Sequence, residues 1–286
     1  MRKSGTSLRS LRKDRKAVSP AISSVILTSA VVVLILITVV FASNFLEARL
    51  AENEFSAMEQ FMQTVGLQID DVAWTMGRTQ TVRYASKFGQ VAFESSALKY
   101  SVYVDKGTGY ALLAEYTLGV LMFNIPVSKY TISNNYHRRV YPSADGSFLQ
   151  KGTSAPVSQI FIMEKLPMND GNFVRIVVAP IVRMLNSTIS TGGEVKNYYK
   201  FYLPVLSSGN HPRYSQSVTL MGKTVSVKTS GDVTAVRISV SFPNAGLGFN
   251  ESFFNFENIV EEISVPSGSI IEFYTGEVIV SLGLHV

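Results

Sequence analysis

Between Ala17 and Leu46, thirty consecutive residues (AVSPAISSVILTSAVVVLILITVVFASNFL) carry no charge. The residues before them hold seven basic side chains, Arg2, Lys3, Arg9, Arg12, Lys13, Arg15 and Lys16, against the single acid Asp14. A helix rising about 1.5 Å per residue needs roughly 20 apolar residues to cross a hydrocarbon core of about 30 Å. The segment from Val18 to Leu46 exceeds that length and leaves room for tilt. Buried helices of soluble proteins seldom run uncharged on every face for so long. Positive residues are retained on the cytoplasmic side, so the leader is expected inside and everything after about Phe45 outside.

The leader, residues 1–17, has a net charge of +6, which exceeds the +5 of the whole chain; the remainder is therefore close to neutral at −1. A nucleic-acid-binding protein needs a basic face spread over a folded domain. With the leader set aside that support is gone, and no nucleic-acid partner is expected.

Three readings of the charged-to-apolar boundary place the N-terminus differently. A secretory signal has an apolar region of about 7 to 15 residues before a small-residue cleavage site; Val40-Phe41-Ala42 before Ser43 meets the small-residue rule, but the apolar run is much longer. An uncleaved single-span anchor is the second reading. The third rests on the join itself, Arg15-Lys16-Ala17-Val18-Ser19-Pro20. This join resembles the processing site of archaeal type IV pilins, whose class III signal peptide combines a basic leader, a small residue at the cut, a Val-Ser-Pro start and a long hydrophobic helix. The resemblance spans roughly Arg12 to Phe45. It implies a cut by a membrane prepilin peptidase between Ala17 and Val18, with Lys16, Ala17, Val18, Ser19 and Pro20 forming the processing site. Bacterial type IV pilins usually carry Glu at the fifth mature position; here that position is Ile22, which fits the archaeal branch.

Physical logic runs the same way. An attached leader pins the helix end at the cytoplasmic face, because each Lys or Arg is costly to carry into hydrocarbon. Once freed, the apolar helix, 18–46, must bury itself against copies of itself, and a head-to-tail contact that does not close gives an open fibre. Assembly would run through Ile22, Val25, Ile26, Val33, Leu36, Val40 and Phe45. In the processed chain Ser19 would cap the helix and Pro20 would sit in its first turn, where no amide is missed.

From Ala48 the positions Ala48, Ala51, Phe55, Met58, Met62, Val65, Ile69 and Val72 recur at spacings of three and four, while Glu47, Glu52, Glu59 and Gln63 lie off the stripe. This predicts an amphipathic continuation over 47–73, packed on the chain's own head or on neighbouring helices. After Trp74 the texture becomes strand-like. Runs at Thr81 to Tyr84, Gln90 to Phe93, Tyr100 to Val104, Leu118 to Phe123, Gln159 to Glu164, Phe173 to Val178, Tyr198 to Leu203 and Ile270 to Leu282 read as strands. Thr224 to Phe242, with Ser230-Gly231-Asp232 between two alternating runs, reads as a hairpin. The fold expected is α+β: a long N-terminal hydrophobic helix, membrane-spanning before assembly, followed by a β-rich, sandwich-like extracellular head over 74–286. The polar stretch 128–156 is the candidate long loop or internal boundary between two subdomains.

The inventory for catalysis is thin. Cysteine is absent, which removes thiol chemistry and thiolate metal sites, and His137, His211 and His285 lie far apart with no ligand spacing such as HExxH. Phosphate-loop and nucleophile-elbow motifs are missing; Ser96-Ala97-Leu98-Lys99 matches only the bare SxxK string. No catalytic residue, metal or cofactor is expected. Asn186-Ser187-Thr188 and Asn250-Glu251-Ser252 are glycosylation sequons on the part expected outside. His137-Arg138-Arg139 is a candidate contact for an acidic partner or a solvated cluster. Together with these residues, the resemblance implies a structural filament subunit, a pilus component acting in adhesion or surface attachment. Its partners are further copies of itself, the prepilin peptidase and assembly machinery, and the membrane during biogenesis. A single-span anchored extracellular binding protein and a minor or tip pilin are the alternatives.

Overall fold

A computed structural model describes residues 11–143, 145–191, 194–212 and 215–283, with side chains from Ile22 onward except at 191 and 194. The leader up to residue 10 and His285 lie outside the described residues, as do the side chains of Lys16, Ala17, Val18, Ser19 and Pro20. The chain divides into two compact units, Met1–Leu50 and Ala51–Val286.

Helix α1 runs over Leu11–Ala73, and strands follow as β1 (Thr79–Arg83), β2 (Gln90–Asp105), β3 (Tyr110–Pro126), β4 (Tyr136–Tyr141), β5 (Leu149–Lys151), β6 (Ser158–Glu164), β7 (Phe173–Pro180), β8 (Val182–Thr191), β9 (Glu194–Ser208) and β10 (Ser217–Ser241). A 3-10 turn at Ala245–Leu247, a short helix α2 (Glu251–Phe254) and β11 (Val260–Leu282) complete the chain. Because α1 begins at Leu11, Ser19 does not cap it in the uncut chain, and Pro20 lies inside the helical run, where it cannot donate to the Lys16 carbonyl. The expected cap and first-turn position need the leader removed.

The strands form one sheet ordered β4-β6-β7-β3-β2-β10-β11-β9-β8-β5, with β1 paired to β10. Apart from the parallel pairs β11 with β9 and β5 with β8, the pairing is antiparallel. A flat sheet of that order would separate β4 from β5 by about 40 Å at roughly 4.8 Å per strand. Yet Tyr141 and Leu149 are joined by a connection that spans at most roughly 30 Å. The sheet therefore curls, and β9 comes to face β3. The result is an α+β protein with a β-rich head, and the stretch 128–156 supplies β4 and β5, the two end strands of that order.

Curling gives the head two cores from one sheet. Alternate residues of β3, β6 and β7 point opposite ways. Leu118, Val120, Met122, Phe161, Met163 and Val177 join an inner core with Tyr100, Phe148, Phe201, Phe253 and Phe273. Leu121, Phe123, Ile160, Ile162, Ile176 and Val178 join a second core that is closed over by α1 from Ala51 to Ala73. Both sides being buried, these strands are almost continuously apolar rather than alternating, as in VRIVVAP.

Thr224 to Phe242 does not form the expected hairpin. Residues 217–241 are a single strand, β10, paired along its length with β11. Asp232 adopts a left-handed backbone (φ 59°), and the register shifts between Ser230 and Val233 and again before Ala235; β11 meets this level at Gly268 (φ 81°) and Ser269. Turn-forming residues here absorb an irregularity in both strands of a long ribbon without reversing it.

Candidate functional site

From Ile22 to Leu50 every side chain of α1 is exposed. The residues expected to carry assembly are Ile22, Val25, Ile26, Val33, Leu36, Val40 and Phe45, with exposures of 53, 64, 63, 53, 59, 60 and 55 %. All but Phe45 fall on one face at helical spacing, yet Leu27, Leu34, Ile35, Val39 and Phe41 on the other faces are equally exposed, so exposure selects no single stripe. Transferring such side chains out of water is worth about 1.5–3 kcal/mol each, which makes the bare segment untenable in aqueous solution. Three of its hydroxyls bond within the helix: Thr28 donates to the Ser24 carbonyl at 2.7 Å, Ser29 to Val25 at 2.8 Å and Thr38 to Leu34 at 2.7 Å. Polar groups bonded within their own helix need no water, the condition an apolar medium imposes. The segment is long and apolar enough to cross a membrane. Its C-terminal limit is marked by Arg49, whose guanidinium lies 5.3 Å from the Phe45 ring centre.

At Ala51 the character of the helix reverses. Ala51, Phe55, Met58, Met62, Val65, Ile69 and Val72 are all buried in the second core. Small residues let backbones approach here. A Cβ on Gly66 would lie 2.8 Å from Ile160 Cδ1, and the Ser158 hydroxyl donates to the Gly66 carbonyl at 2.9 Å. Three polar clamps fix the helix in rotation. Asp70 takes both terminal nitrogens of Arg183 (2.8 and 3.2 Å) and the Trp74 indole N–H at 2.7 Å. Glu59 accepts two bonds from Arg138 Nη2, at 2.9 and 2.8 Å. Glu54 accepts from the Ser86 hydroxyl at 2.6 Å and from the amides of Lys87, Phe88 and Gly89 at 2.8–3.1 Å.

No family model, no curated protein and no solved structure matches this chain. Function therefore has to be argued from the chemistry of the segment and the head.

The histidine and arginine cluster is spent within the head. Arg138 is held by Glu59, Arg139 donates to the Asn255 carbonyl at 2.8 Å, and His137 stacks on Phe161 with ring centres 5.1 Å apart. Burial, with Arg139 adding to it, pushes the His137 pKa down to about 4. The sequons differ in their surroundings. Asn186 is exposed on β8, whereas the half-buried Asn250 caps α2, its side-chain oxygen accepting from the Phe253 amide at 3.2 Å and from Lys165 Nζ at 3.2 Å. Ser252 bonds both Asn250 and Lys165, so this sequon is tied into the fold. Lys99 of the SxxK string pairs with Glu115 at 2.9 Å. Among the described residues no three His, Cys, Asp or Glu side chains converge where a metal ion could sit.

Sequence reasoning did not single out Glu54, Asp70 or Arg183. Apart from Trp74, four residues after Asp70, the partners of these clamps lie far away, Ser86 at 32 positions from Glu54 and Arg183 at 113 from Asp70, and no local spacing signals such pairs.

Proposed function

We propose that this chain is the subunit of an extracellular filament of the archaeal type IV pilin kind, polymerising through the helix 18–46 and presenting its β head for surface attachment. One observation carries the reading: from Ile22 α1 is exposed on every face, with no charge through Leu46, and from Ala51 it is buried along one stripe. A helix that only had to pack on its own head would need the stripe and not the all-round apolar surface. The Arg15-Lys16-Ala17-Val18-Ser19-Pro20 join supports release from the membrane. A prepilin peptidase cutting after Ala17 would remove the basic anchor and leave a helix able to enter a bundle of identical helices. The head-to-tail geometry of such a bundle extends without closing.

Mass spectrometry of the N-terminal peptide of protein sheared from native cells tests this reading. A terminus at Val18 is expected. A terminus at Met1 or Arg2, in protein that needs detergent for release, would replace it with a single-span anchored binding protein. A terminus at Ser43 would mean a secreted head whose helix is discarded.

A further inference from the structure

We propose that the head binds neutral carbohydrate in a groove of about 770 Å³ bounded by the loop before β2, the end of β3 and the start of β7. The volume falls within the range of small-molecule sites. The proposal goes beyond the filament reading and depends on the head alone.

The lining is of mixed chemistry. Tyr84, Phe88 and Phe173 contribute half-buried rings, and Gln90, Gln216 and Asn124 contribute carboxamides. Lys87 is the one charged side chain among the described lining residues, and none is a carboxylate; Lys87 and Lys129 lie 4.9 and 5.6 Å from the Phe88 ring centre, which leaves Tyr84 and Phe173 as the stacking faces. A pyranose has an apolar C–H face that packs on the electron-rich face of an aromatic ring, and an edge of hydroxyls, each both donor and acceptor. A carboxamide matches that edge, since it offers a donor and an acceptor side by side without charge. Gln90 and Gln216 have no side-chain hydrogen-bond partner among the described residues, so both amides remain available.

The walls are held in place without the ligand. Gln90, Asn124 and Arg175 stand in register across β2, β3 and β7. The buried Arg175 donates to Asn124 Oδ1 at 3.2 Å and to Asp170 at 2.7 Å, which fixes the orientation of the Asn124 amide. Its guanidinium also lies 5.1 Å from the Phe173 ring centre, and Tyr84 is braced by Phe61 at 5.0 Å. The Tyr84 hydroxyl donates to the Ser215 carbonyl at 2.7 Å, and the Glu54 carboxylate gathers the Ser86–Gly89 loop. A groove already rigid loses little entropy on binding, the requirement for recognising a flexible, hydrated ligand.

The experiment is calorimetric titration of the full chain in detergent micelles with neutral hexasaccharides of glucose, mannose and N-acetylglucosamine, beside hexagalacturonate as an acidic control. Saturable binding of at least one neutral oligosaccharide is expected. The double variant Gln90→Ala with Gln216→Ala should weaken it about tenfold or more, and Lys151→Ala, at an exposed position of β5 outside the groove lining, should leave it unchanged. Neither glutamine side chain holds the fold together, so the double variant should keep the wild-type thermal midpoint. Absence of saturable binding to every neutral sugar would overturn the proposal. So would binding that the double variant retains, or binding of hexagalacturonate alone that is lost with Lys87→Ala. None of these outcomes bears on the N-terminal residue of the native protein, so this proposal and the filament reading fail separately.

Discussion

Replacing Glu54 by alanine strips the Ser86 hydroxyl and the amides of Lys87, Phe88 and Gly89 of their shared acceptor. Hydrogen bonds to a charged group are worth about 1.5–3 kcal/mol in favourable settings. Partial exposure of the loop lets water replace some of them, so a loss of about 2 kcal/mol in urea unfolding is expected, with Glu54→Gln intermediate. His137 supplies a pH dependence of definite sign. Its folded pKa, about 4, lies below that of an unfolded histidine, so the unfolded state takes up the proton first as pH falls. The stability it contributes is complete above about 6.5 and is lost as pH drops towards about 4. A His137→Gln variant should therefore show a smaller decline in thermal midpoint than wild type over that window; equal declines would assign the effect elsewhere. Neither residue's part was legible in the sequence. Glu54 reads there as one more off-stripe acid, and His137 as a member of a solvated basic cluster, because both depend on strands remote in the chain.

At the scale of elements, legibility followed periodicity. The seam from Phe55 to Val72 was visible because every third or fourth residue is apolar, and the strands of β6 and β7 because β-branched and aromatic residues cluster. Strand β8 was missed: the polar run Asn186-Ser187-Thr188 within it reads only as a sequon, whereas its pairing with β9 is set by tertiary contacts. The hairpin expected at Ser230-Gly231-Asp232 failed for a related reason, since turn residues mark a backbone irregularity and not the direction the chain then takes. Glycine carries information of another kind where β10 and β11 pass beneath the end of α1. A Cβ on Gly222 would lie 2.5 Å from the carbonyl oxygens of both Val72 and Thr75, and one on Gly276 would collide with the Ala73 carbonyl. Backbone cannot step aside as a side chain can. Gly222→Ala is therefore expected to cost about 1–3 kcal/mol, read as a lowered denaturation midpoint with an unchanged slope, while Gly246→Ala, whose added methyl meets nothing within 4 Å, should be close to neutral.

For the molecule as a whole, the change of character between Leu50 and Ala51 predicts a clean dissection. A chain starting at Ala51 should be soluble without detergent and keep the wild-type head unfolding transition, because the buried stripe of α1 lies wholly within the second compact unit. Aggregation of that shortened chain in gel filtration would show that residues before Ala51 complete the head. The fold class was readable because an uncharged run and a change of period need only neighbours in sequence. The single curled sheet was not, since nothing local says that β1 and β2 pair with β10 or that β9 lies parallel to β11. That topology also sets an order of events. Thr79 waits for Met221, Asp105 for Ala235, and β10 in turn for β11. A chain that emerges N-terminus first, from a ribosome or through a translocation pore, cannot close its head until β11 has followed. Until then only partial ladders such as β4-β6-β7-β3-β2 and β8-β9 can form, and an unclosed head is more easily drawn through a narrow passage than a finished one.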